Sequence, residues 1–159
     1  MRLLIFAIFW IATTTPVLAE RSPAFTDFPV KDVFVGTPAT PVLSTRGARL
    51  LRSILSKEAA SGPNFAGHFT LARWGCGAGC VSWAVIDAVN GVVLFPPFTV
   101  SDATGFSDPE LAQHSIDFEL NSELIVVNGA RNESGAGEYY YRWHSNKLSL
   151  LYSIEYKQQ

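Results

Sequence analysis

Residues 81–95 read VSWAVIDAVNGVVLF, and this stretch decides the fold. Two apolar, β-branched runs, Val81 to Asp87 and Val92 to Phe95, flank Asn90-Gly91. Asn-Gly accepts the paired positive φ angles of a tight turn whose twist matches its flanking strands, so the pattern predicts an antiparallel hairpin. Pro96-Pro97 closes it, because proline cannot donate to a ladder.

Working outward, the period of two persists. His68 to Trp74 reads as the strand before the hairpin. After it, Ile116, Phe118 and Leu120 alternate with Ser115, Asp117 and Glu119, the mark of a half-buried strand. Asn121-Ser122 turns this strand into Leu124 to Val127. Glu138 to His144 (EYYYRWH) pairs through Ser145-Asn146-Lys147 with Leu148 to Tyr156. Thr99 to Asp108 and Asn128 to Gly137 (NGARNESGAG) read as polar loops, the second a flexible one. Turns this short require antiparallel neighbours, since a parallel crossover needs a dozen or more residues. The expectation is a mostly β fold: an antiparallel meander of about seven strands, as an open sheet, a sandwich or a partial barrel, with one N-terminal α-helix packed on it.

That helix lies upstream. Ser44 or Thr45 can cap it, and Leu50, Leu51, Ile54, Leu55 and Ala59 recur at helical spacing. Arg46, Arg49, Arg52, Lys57 and Glu58 take the other face, which reads as solvated. Gly62-Pro63 ends it. Before it, Pro23, Pro29, Pro38 and Pro41 make an extended lead-in, with Lys31 to Val35 as a short edge strand and Phe25, Phe28 and Phe34 as pins.

The N-terminus reads as an export signal. Arg2 precedes the apolar run Leu3 to Ala12, and Val17-Leu18-Ala19 suits signal peptidase. The run is about half of the roughly 20 residues a membrane span needs, which favours a cleaved signal over an anchor. The chain then divides into a signal peptide (1–19), a lead-in (20–43) and a single β-rich domain with its leading helix (44–159). The full chain carries 12 basic and 14 acidic residues, for a net charge of −2. With no basic run, phosphate-driven nucleic-acid binding is excluded.

Residues 62–80, GPNFAGHFTLARWGCGAGC, hold both cysteines. Two cysteines in an exported chain pair with each other, and Gly77 and Gly79 let so tight a ring close. A Cys76–Cys80 bridge should shape the turn after Trp74. A thiol nucleophile at either cysteine would need an activating histidine, and His68 lies about 25 Å back along an extended strand. His68, His114 and His144 show no metal-ligand spacing, and no cofactor motif or paired catalytic carboxylates are evident. Asn64 and His68 read first as turn and core residues, and second as the polar wall of a pocket. Trp74, Arg131, Tyr139 and Tyr141 complete the candidate binding set, since aromatic strands with a rigid edge suit a contact face.

The run Gly62 to His68, then Trp74-Gly75-Cys76-Gly77 with Cys80, then Ile86-Asp87 before Asn90-Gly91, resembles a group of short, uncharacterised exported bacterial proteins. The later pair Leu124 to Asn128 and Tyr140 to Trp143 is similar to that group too. The resemblance implies a bacterial, periplasmic setting and brings no activity with it. The functional expectation is a non-enzymatic periplasmic binding or inhibitor-like domain. Its partner would be a protein or small molecule of the envelope, met by the disulfide turn and its aromatic neighbours. The alternative is a small hydrolase or thiol enzyme using Cys76 or Cys80 with a histidine.

Overall fold

The computed structural model describes residues 21–77, 79–101 and 114–156; the stretch read as an export signal lies outside them. After a 3-10 turn at Phe25–Asp27, two helices follow, α1 (Arg46–Leu50) and α2 (Arg52–Ala60). Eight strands come next: β1 (Phe69–Gly77), β2 (Cys80–Asp87), β3 (Val93–Leu94), β4 (Val100–Ser101), β5 (Ile116–Phe118), β6 (Leu124–Arg131), β7 (Ser134–His144) and β8 (Lys147–Glu155).

All eight form one open antiparallel sheet in the order β1-β2-β4-β6-β7-β8, with β3 beside β2 and β5 beside β6. The mostly β antiparallel expectation therefore holds, as an open sheet rather than a sandwich. Its added strand is β4, which bridges the diverging ends of β2 and β6.

Strand alternation sorts side chains to two faces. Phe69 and Leu71 of β1, Trp83 and Val85 of β2, Ile125 and Val127 of β6, and Tyr139, Tyr141 and Trp143 of β7 share the inner core. The sheet curls over this core, because Phe69 of β1 meets Trp143 of β7 at 5.6 Å although three strands separate them in the sheet. The outer face of β1 and β2 carries Ala72 and Ala84, opposite each other in register. Their small side chains leave room for Ala48 of α1 and Leu55 and Ala59 of α2, and Ile86 completes this second cluster.

Three expectations change. Lys31 to Val35 forms no strand, and its Phe34 N donates to Gly67 O from an extended lead-in. The single helix breaks at Leu51, so Leu55 and Ala59 are buried whereas Leu50 is 77% exposed. The flexible loop at 128–137 is instead the body of the β6–β7 hairpin, with its turn at Asn132-Glu133. Gly129 stands where a Cβ would press on the Ser101 carbonyl, so glycine here marks close strand approach rather than a loop.

The GPNFAGH stretch is a structural knot. Asn64 accepts from Leu71 N at 2.7 Å and donates to Leu71 O at 3.3 Å. Thr70 Oγ1 donates to Gly62 O at 2.9 Å. Ala66 and Gly67 both have positive φ, turning the chain so that Phe65 pairs with Phe69. Gly67 N donates to Leu120 O, and Gly67 O accepts from Phe34 N. The lead-in is thereby tied to both β1 and the turn before β6.

Candidate binding cleft

The β1–β2 hairpin, the 95–99 link and the β6–β7 turn meet around an open cleft of about 360 Å³. Trp74 comes from β1, and Ser82 and Trp83 from β2. Phe95-Pro96-Pro97-Phe98 forms the link, which rigid proline backbone holds extended. Asn132 fastens that link: its Oδ1 accepts from Thr99 N at 3.0 Å, and its Nδ2 donates to Pro97 O at 3.4 Å.

Two aromatic pairs line the cleft. Trp74 and Phe95 meet edge-to-face at 6.4 Å, and Trp83 and Phe98 meet tilted at 5.7 Å. Phe98 in turn packs on Tyr141 at 5.4 Å. Among the described residues, every side chain lining the cleft is uncharged. Trp83 is 2% exposed, and its buried Nε1 finds no acceptor among them. A buried donor left without a partner is costly and uncommon. Chemically, the cleft can hold a neutral group with flat or apolar surfaces.

The disulfide sits at the end of the same hairpin. Cys76 and Cys80 are bridged with Cα atoms 5.1 Å apart, next to the Gly75/Gly77 irregularity in the β1–β2 register. No free cysteine remains, so neither sulfur is a thiol nucleophile in this structure.

A second, smaller cavity of about 200 Å³ lies at the other end of β1. His68, Glu123, Trp143 and His144 line it. The His68 ring lies 4.0 Å from that of Phe69. Arg142 Nε donates to Glu123 Oε2 at 2.8 Å, and His144 Nδ1 is 3.3 Å from Glu123 Oε1.

The structure thus separates the candidate residues. Trp74 lines the cleft, His68 lines the second cavity, and Asn64 spends its amide on Leu71. Tyr139 and Tyr141 are buried on the inner face with Arg131 over the Tyr139 ring, so the tyrosines are core and not open contact area. Across that face, Arg73 Nη1 donates to Ile116 O at 3.0 Å. Burial pulls the Arg73 guanidinium below its usual range, against the opposing pull of Asp117 and Glu58. Trp83, Phe95, Phe98 and Asn132 were not singled out from sequence. The Phe-Pro-Pro-Phe run was the available signal, since it sets two rings on a stiff link.

Among the described residues, no helix is long and apolar enough to cross a membrane. Compared with protein-family profiles, with curated proteins and with solved structures, the chain matches none of them.

Proposed function

We propose that this is an exported, periplasmic binding domain that works without catalysis and seats its ligand in the aromatic cleft. The observation that carries this reading is the pair of aromatic contacts, Trp74–Phe95 and Trp83–Phe98, around an uncharged opening. Apolar clefts with a few placed polar groups are the usual form of a ligand site. Ser82, Thr99 and Asn132 supply those polar groups, and the ligand is a neutral small molecule or an apolar segment of an envelope protein. The bridge supports an oxidising compartment.

The test is an NMR titration of the indole N–H signals with neutral aromatic compounds and with proline-rich peptides. Binding at the cleft shifts the Trp74 and Trp83 signals and leaves Trp143, in the other cavity, in place. Failure of every probe to move Trp74 or Trp83, or equal movement of Trp143, would overturn the assignment. Export is tested by intact mass of protein recovered from the periplasm. A chain starting at Glu20, two hydrogens light and resistant to alkylation, is expected.

A second reading rests on the smaller cavity. His144 beside Glu123 is a potential proton acceptor, with His68 on the same cavity wall. A hydrolytic activity lost in both His68→Ala and His144→Ala would move the function there.

A further inference from the structure

We infer that the shoulder formed by α1 and the tip of the β2–β3 hairpin docks on an anionic lipid bilayer. Residues 33–57 carry Arg46, Arg49, Arg52 and Lys57 and no acidic residue, in a chain whose net charge is −2. All four cations are exposed. Arg49 Nη1 folds back on the Leu43 and Ser44 carbonyls at 3.3 and 2.9 Å, which holds the start of the helix against the end of the lead-in.

Apolar side chains stand among these charges. Leu50 ends α1 and is 77% exposed, because the break at Leu51 turns the rest of the stripe inward and leaves Leu50 out. One helical turn before it, a Cβ at Gly47 would stand 3.9 Å from the Phe95 ring, so Phe95 borders the same surface. Val42 N donates to Gly91 O at 2.7 Å, which brings Val42 alongside Val92. Val42, Val92 and Phe95 are each exposed by more than a third.

The sign of the charge calls for an anionic partner. The shape selects the bilayer among anionic partners: Leu50 projects from a helix end, and a protein would need a matching hole to bury it. A bilayer offers an anionic layer above an apolar one without shape matching, and arginine stems reach across that boundary. The inference holds whether or not the aromatic cleft takes a ligand.

The test is flotation of the purified chain with vesicles of phosphatidylglycerol and phosphatidylethanolamine, and with phosphatidylcholine alone. Binding is expected only to the anionic vesicles, and to weaken as salt rises. Arg46→Gln with Arg52→Gln should reduce partitioning by about fivefold per arginine. Leu50→Glu should reduce it by at least about tenfold. All three positions are solvent-exposed, and circular dichroism checks that the variants fold. Absence of binding to anionic vesicles overturns the inference. So does equal binding to neutral vesicles, or unchanged binding by the variants, which would assign any attachment to the apolar N-terminal run. Binding to an acidic protein without any to vesicles also overturns it.

Discussion

The guanidinium carbon of Arg131 lies 3.7 Å from the centre of the Tyr139 ring, and Nη1 of the same arginine donates to Tyr141 Oη at 2.7 Å. One side chain therefore serves two inward tyrosines of the neighbouring strand. Arg131→Ala removes the stacked cation and leaves the Tyr141 hydroxyl without that donor, so a loss of about 2 kcal/mol is expected in urea unfolding. Arg131→Lys keeps the charge but loses the flat stack and should recover only part of that loss.

Gly67 has φ +79°, and a Cβ there would run into the carbonyl of Asp32. Gly75 has open space around it and no such angle. Gly67→Ala should therefore destabilise the domain by at least about 1–2 kcal/mol, from the left-handed backbone alone. Gly75→Ala should change stability by well under half of that. Equal melting temperatures for the two variants would contradict the account of the GPNFAGH knot.

Asp27 accepts from Ala24 N at 2.8 Å and from Arg21 Nη2 at 2.7 Å. The Ala24 N–H, and then Arg21, hold its carboxyl below the ordinary value of 3.8. A depressed carboxyl stabilises the fold above its unfolded value and loses that contribution as pH falls through the folded one. The 3-10 turn should loosen below about pH 3.8, seen as a shift of the Ala24 amide signal. Asp27→Asn should remove that pH dependence.

The bridge closes a ring of only a few residues, so chain entropy assigns it about 2 kcal/mol. Cys76→Ser with Cys80→Ser should keep the far-ultraviolet spectrum and lower the unfolding free energy by that amount. An unfolded double variant would mean the hairpin tip matters far more to the domain than its position suggests.

Much of this was legible in the chain. Asn90-Gly91 marked the hairpin but not its turn: Gly91 alone of the two has positive φ, and Ala88 to Gly91 make a wider turn closed by Asp87 N donating to Val92 O at 2.9 Å. The disulfide followed from there being only two cysteines. The helix break at Leu51 was not legible, because apolar spacing continues through it while the cluster over Ala72 and Ala84 takes Ala48 from α1 and Leu55 and Ala59 from α2, and leaves Leu50 out. The glycines of 128–137 suggest freedom in the sequence, although Gly129 and Gly137 lie where a Cβ would run into neighbouring backbone. The tyrosines misled for a related reason. Alternation separates Tyr139 and Tyr141 from Tyr140, but which set faces inward depends on the curl of a sheet formed by distant strands. The cleft depends on the same long-range assembly, since Trp74, Phe98 and Asn132 come from three separate parts of the chain.

The lead-in has a consequence for the order in which the chain becomes protein. Ser122 Oγ donates to Phe25 O at 2.8 Å, across 97 positions, and Val30 N donates to Asn121 O at 3.0 Å. Glu123 N reaches Phe28 O at 2.9 Å, and the same Glu123 binds Arg142. Phe25, Phe28 and Val30 of the lead-in thus lack these partners until the 119–123 turn exists. Contacts this distant in sequence close late. A protease cutting near Val30 in the finished protein would consequently be felt at Glu123 and Arg142, far along the chain but adjacent in space.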